Sequence, residues 1–128
     1  LRQLEWKLDR LQPYVVKADP SLIEQITHDD MLRGMTIAAN GFYGPQGRQL
    51  RLSLADPQLN QKIQAFDYEG HQITNYEMES SALAGLAAMM GHRAMTVCCI
   101  IAGRVDKNMN TDYASALDNL IDTVVERI

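Results

Sequence analysis

Three short stretches of this chain carry side chains whose types and spacing suit the recognition of a small polar molecule. The first is Asn40-Gly41-Phe42-Tyr43-Gly44-Pro45-Gln46-Gly47-Arg48. Its glycines permit tight turns, Gln46 both donates and accepts, Arg48 adds a paired donor fork two residues on, and Phe42 supplies a flat apolar face. That set fits a flat heterocycle with a polar edge. It also fits a plain surface turn, in which Phe42 and Tyr43 only pack and Arg48 is solvated. The second stretch, Tyr76-Glu77-Met78-Glu79-Ser80, places two carboxylates around a methionine, directly ahead of an apolar run. Carboxylates are costly to desolvate unless something satisfies them. Two partners qualify: the hydroxyl pair of a sugar, as an acidic residue reads ribose in dinucleotide folds, or the start of a helix, whose dipole favours an anion. The third stretch is Ala102-Gly103-Arg104-Val105-Asp106-Lys107. Arg104, just past an apolar segment, either reaches into the same crevice or pairs with Asp106.

Other reactive types are less informative. His28, His71 and His92 are scattered and read as surface or packing residues. Cys98 and Cys99 are neighbours, and successive strand residues point to opposite faces, so they read as buried thiols rather than a bridge or a metal pair. The methionines, Met89 and Met90 in particular, read as core filler.

These residues need elements to position them. Leu1, Leu4, Leu8 and Leu11 recur at helical spacing with no capping residue ahead of them, which suggests a chain that begins in mid-helix. Gln12-Pro13 ends that helix, and Tyr14 to Val16 is extended. Asp19-Pro20 and Asp56-Pro57 each offer a cap followed by proline in the first turn, so two helices are expected to open with the same chemistry. Gly34 to Ala39 reads as a buried strand, Gln49 to Leu54 alternates at period two as a strand with one wet face, and Gln72 to Tyr76 is a further short strand. Ser80 to Met90, closed by Gly91 as a left-handed cap, is a helix apolar on nearly every side and is expected to be buried. Met95 to Ala102 has the look of a central parallel strand. A final helix runs from Asn110 as N-cap to Ile128, with Leu117, Leu120, Ile121 and Val124 on one stripe. The loop Val105 to Asn110 is the expected mobile segment. This order predicts an α/β fold, a mixed and mostly parallel sheet flanked by helices. Ligands in such folds collect at the carboxyl ends of strands, where all three stretches fall.

Length and composition bound the rest. A chain of 128 residues predicts one domain over 1–128. Hydrophobic residues at 46% and charged residues at 22% exclude disordered and collagen-like classes. A formal charge of −4 has the wrong sign for a nucleic-acid binder. No apolar run approaches the roughly 20 residues that cross a bilayer, and the first residues lack the order of a signal peptide, so no membrane association and a cytoplasmic location are expected.

Taken in order, Phe42-Tyr43-Gly44-Pro45-Gln46-Gly47-Arg48, Asn75-Tyr76-Glu77-Met78-Glu79-Ser80 and Ile100-Ile101-Ala102-Gly103-Arg104 closely resemble the uridine phosphorylase branch of the nucleoside phosphorylase family. The resemblance runs from about Leu11 to the end and corresponds to the C-terminal half of such enzymes. It implies a nucleoside-phosphorylase-like fold, of which this chain is the C-terminal part. It also implies a pentosyltransferase performing reversible phosphorolysis of a pyrimidine nucleoside, with inorganic phosphate as co-substrate and neither organic cofactor nor metal. Gln46 and Arg48 would hold the pyrimidine edge, Phe42 would stack near the base, Met78 and Glu79 would hold the ribose, Glu77 would line the pocket, and Arg104 would approach the base. Gln46, Arg48 and Arg104 would carry the catalytic role. A homo-oligomer, a dimer or a hexamer of dimers, is implied, because family sites borrow residues across a subunit interface. The family's phosphate is held mainly by residues of the other half, absent here, which keeps a non-catalytic nucleoside-binding half-chain as an alternative. A nucleosidase or purine phosphorylase is another, against which Gln46-x-Arg48 argues. Gly103 stands where an Asn usually precedes the Arg, and Asn40-Gly41 where Asp-Thr is frequent.

Overall fold

A computed structural model of the chain describes residues 12–104 and 108–128. They fall into two compact units, 12–15 with 32–81, and 16–31 with 82–128. The expected helix at Leu1 to Leu11 and residues 105–107 of the expected loop Val105 to Asn110 lie outside the described residues.

The first unit is built on a small sheet. Strand β1 (Met35–Ala38) pairs in parallel with β3 (His71–Glu77), and β2 (Asp67–Tyr68) pairs antiparallel on the other side of β3, giving the order β1-β3-β2. The fold is mixed α/β as expected, with the longer ladder parallel. Strands β2 and β3 form a hairpin whose two loop residues, Glu69 and Gly70, take φ of 54° and 80°, the positive values that match a tight turn to strand twist. The Asp67 carboxylate accepts from Gly70 N at 3.1 Å. Between the pairs Met35 with Ile73 and Thr36 with Asn75, β3 contains one extra residue, Thr74. Gly34 lies directly against it, and a β-carbon there would overlap the Thr74 side chain. Helix α2 (Leu59–Gln64) follows the loop after β1, and Ile63 and Ala39 are the buried apolar residues of this unit.

Helix α1 (Pro20–Ile26) opens the second unit as its sequence predicts: the Asp19 carboxylate accepts from Ser21 N at 2.9 Å and Leu22 N at 3.1 Å, with Pro20 in the first turn. Its far end is capped from beyond helix α4 (Tyr113–Val125), where Arg127, two residues past the helix, donates to the carbonyls of Ile26 and Thr27 at 3.3 and 3.0 Å. Helix α3 (Ser80–Met89) carries the chain from the first unit into the second and ends at Gly91, whose φ of 73° is the left-handed cap expected there.

Several expectations are corrected. Asp56 does not cap α2; the N-cap is Gln58, and Asp56 accepts from Gln58 N and pairs with Lys62 at 3.2 Å. Helix α4 opens at Asp112 rather than Asn110, because the Asn110 side chain accepts from Asp112 N and forms a turn ahead of the helix. Gln49–Leu54 and Met95–Ala102 are not ladder strands, apart from an isolated bridge between Ala102 and Met109. An alternating or apolar run becomes a strand only when a neighbour satisfies its backbone, and no described strand flanks either one. Leu50 and Leu52 are consequently exposed. Helix α3 is not buried: Leu83 is 68% and Leu86 56% exposed, and Met89 and Met90 are surface residues instead of core filler, since no described element covers that face. Cys98 and Cys99 are half-buried and free of a disulfide.

Candidate functional site

The parallel pairing of β1 with β3 sets where two of the three stretches begin. Ala38 sits opposite Glu77, and Ala39 N donates to Glu77 O at 2.8 Å. The carboxyl ends of both strands therefore lie side by side. From one departs the loop that carries Phe42, Gln46 and Arg48; from the other, the run Glu77-Met78-Glu79.

The first loop is folded by its own backbone. Gly44–Gln46 form a 3-10 turn with Pro45 in its first turn, Gly47 N donates to Gly44 O at 2.9 Å, and Arg48 N donates to Tyr43 O at 2.9 Å. Gly47 adopts φ 68°, ψ 23°, a left-handed conformation natural to glycine. The turn presses Gln46 inward to 3% exposure, the most buried polar side chain among the described residues. Arg48 donates through Nη1 to Gln46 Oε1 at 2.6 Å and to the carbonyl of Phe42. Its guanidinium lies over the Phe42 ring, 3.6 Å from the centroid, and Tyr43 meets that ring edge-on at 5.3 Å. The structure thus brings Phe42, Gln46 and Arg48 into one cluster, with the amide and the guanidinium locked together instead of Arg48 being freely solvated.

The two carboxylates of the second stretch have separate tasks. Glu77 turns back onto the start of α3: Oε2 accepts from Glu79 N at 2.8 Å and Ser80 N at 2.6 Å, and Oε1 accepts from Ser80 Oγ at 2.6 Å. Burial pushes this carboxyl upward, but the Ser80 hydroxyl and the backbone amides of Glu79, Ser80 and Met78 outweigh it and hold it below its ordinary value. Glu77 is a helix-capping anion. Met78 and Glu79 are exposed, and among the described residues no hydrogen bond engages the Glu79 carboxylate.

Arg104 belongs to the second unit, where it is half-buried with Nε shielded from solvent. Gly103 N, just before it, donates to Asn108 O at 2.8 Å. Asp106 lies outside the described residues. Among the described residues no group of His, Cys, Asp or Glu could hold a metal ion, and no helix is long and apolar enough to cross a membrane. Within the second unit a concavity of about 320 Å³ is lined by apolar side chains that include Ile26, Val97, Leu120 and Val124.

One residue escaped the sequence reading. Asn60 on α2 donates through Nδ2 to Gly47 O at 3.2 Å and accepts at Oδ1 from the Tyr76 hydroxyl at 3.1 Å. Nothing in the sequence marks it, because its partners lie 13 and 16 residues away.

The chain as a whole has counterparts among known proteins. The family profile described as the phosphorylase superfamily matches residues 8–126, and the chain belongs to that superfamily. Within it the similarity lies with the uridine phosphorylase branch. Uridine phosphorylase A of Schistosoma mansoni is 39% identical over 80 residues, 61% of this chain and 26% of that protein. Uridine phosphorylase of Thermococcus kodakarensis is 36% identical over 78 residues, 56% of this chain and 25% of that protein. A protein named inactive uridine phosphorylase B, also from Schistosoma mansoni, is 37% identical over 75 residues, 57% of this chain and 25% of its own length. Among solved structures, a Trypanosoma brucei nucleoside phosphorylase described as showing uridine phosphorylase activity superposes with a TM-score of 0.77 at 26% identity, over 88% of this chain and 42% of that one. The matched regions amount to about a quarter of the length of these curated relatives.

Proposed function

We propose that this chain supplies the base- and ribose-binding part of a uridine-phosphorylase-like pentosyltransferase, which exchanges the base of a pyrimidine nucleoside for inorganic phosphate. The observation that carries this reading is the Gln46–Arg48 contact of 2.6 Å on the Phe42 ring, at the strand edge from which Glu77-Met78-Glu79 also departs. In phosphorolysis the bond from the anomeric carbon to the base nitrogen breaks as phosphate attacks, so positive charge grows on the sugar and negative charge on the departing base. Gln46 and Arg48 would meet the charge on the pyrimidine edge with fixed donors, each worth roughly 3–4 kcal/mol when aimed at a developing anion. Glu79 would accept from the sugar hydroxyls with Met78 against the pentose. Arg104 would approach the base. Glu77, as the cap of α3, would act on the pocket through the backbone it holds. No organic cofactor or metal enters this scheme, and a homo-oligomer in the cytoplasm is the expected setting.

The similarity to a relative named inactive favours one second reading, a nucleoside-binding protein without turnover. The test is phosphate-dependent release of uracil from uridine by the protein that carries this chain. Release that requires phosphate supports the enzyme; uridine binding with no release supports the second reading; neither binding nor release overturns both.

A further inference from the structure

We infer that Asn60 is a positioning residue that sets the aim of the Gln46–Arg48 pair, an inference that rests on the base-binding role proposed above for that pair. Gly47 separates the two side chains, and its left-handed backbone leaves both torsions on either side soft in the absence of restraint. The peptide unit joining Gly47 to Arg48 is planar, so fixing its carbonyl and its N–H fixes the direction from which Arg48 leaves the chain. Both ends of that unit are held. Arg48 N donates to Tyr43 O at 2.9 Å from within the turn, and Asn60 Nδ2 donates to Gly47 O at 3.2 Å from helix α2.

The Asn60 amide has only one orientation available. Gly47 O can only accept, so it faces the NH2 group, which leaves Oδ1 for the Tyr76 hydroxyl at 3.1 Å. Asn60 is half-buried and stands one helical turn from Ile63, the buried residue that anchors α2. It also occupies the space that a Gly47 side chain would need. The result is a continuous link from β3, through the Tyr76 hydroxyl and the Asn60 amide, to the peptide between Gly47 and Arg48. Tyr76 immediately precedes Glu77, so the strand that begins the Glu-Met-Glu run also braces the base-clasping loop.

The experiment measures binding of free uracil and of uridine by titration calorimetry, using the protein that carries this chain and its Asn60→Asp and Tyr76→Phe variants. Asn60→Asp keeps an acceptor for Tyr76 but replaces the donor that grips Gly47 O with a carboxylate oxygen. We expect it to weaken uracil and uridine by about the same factor, roughly tenfold, with binding stoichiometry unchanged. Tyr76→Phe leaves the Gly47 contact intact and is expected to weaken both ligands in the same sense, by about threefold. A merely structural role lowers the binding-competent fraction while leaving the affinity of folded molecules unaltered, and that result overturns the inference. Selective loss of uridine with uracil unaffected also overturns it, because the defect would then lie at the sugar. If Asn60→Asp does not fold, unchanged uracil affinity in Tyr76→Phe overturns it. Failure of the unaltered protein to bind either ligand overturns the functional reading and this inference together.

Discussion

The guanidinium carbon of Arg48 lies 3.6 Å from the centre of the Phe42 ring, and the same side chain donates to Gln46 Oε1 at 2.6 Å. An arginine so placed sets its guanidinium carbon over an aromatic face while one of its nitrogens donates to an amide and to a backbone carbonyl, a combination that a lysine ammonium does not reproduce. Its orientation is held by the chain's own groups, and in the base-binding role proposed above such a donor would meet developing charge without reorganising.

The first prediction concerns that cluster. Arg48→Ala should lower kcat/KM for uridine by about 10²-fold or more while leaving the circular dichroism spectrum unaltered, and Arg48→Lys should recover little of the loss. Steady-state phosphorolysis of uridine measures it; kinetics like those of the unaltered protein would remove Arg48 from the site.

Glu79 should behave as a sugar residue. Its carboxylate is exposed at the start of α3, and Glu79→Gln replaces two acceptor oxygens by one. Uridine affinity should fall about tenfold while free uracil binds as before. Equal affinity for uridine in the two proteins would end the ribose assignment.

Glu77 should show a pH-dependent role in stability. Its carboxyl titrates below the ordinary value, about 4.3 for an unfolded glutamate, so the native state favours its anion. The stabilisation is present at neutral pH and is lost as the pH falls through the depressed native value. Glu77→Gln should therefore be less stable than the unaltered protein above about pH 5, and the gap should close in the acid range below about pH 4. Urea unfolding across a pH series reads this directly; a gap that widens on acidification would contradict the capping role.

Gly47→Ala should destabilise the loop twice over. An alanine at φ 68° costs roughly 1–2 kcal/mol from backbone sterics, and its β-carbon would overlap the Asn60 amide. Denaturant unfolding should show that loss, with a matching drop in uracil affinity as Arg48 is displaced. Unchanged values for both would mean the loop adapts freely.

What the sequence disclosed follows from how local each signal is. The Asp19-Pro20 cap, the Gly91 terminator and the strands β1 and β3 were legible because their determinants are neighbours in the chain. The Glu-Met-Glu run left two partners open, and coordinates were needed to see that Glu77 takes the helix start while Glu79 does not. Gln49–Leu54 and Met95–Ala102 misled because a strand is a relation between two segments, and a pattern in one does not reveal whether the other is there. Strand β2 was missed since Glu69-Gly70 is a weak turn signal beside the Asn-Gly or Asp-Gly usual in such hairpins. Asn60 was illegible for the same non-local reason: its two partners come from a loop and a strand that only the fold makes adjacent.

The extra residue at Thr74 sits inside the ladder that β3 shares with β1. Ile73 pairs with Met35 ahead of it and positions 75 to 77 pair with 36 to 38 after it, while positions 71 and 72 pair with β2. A bulge bends its strand and sharpens the local twist. The stretch that ends in Tyr76 and Glu77 is thus turned relative to the hairpin ribbon by a device only one residue long.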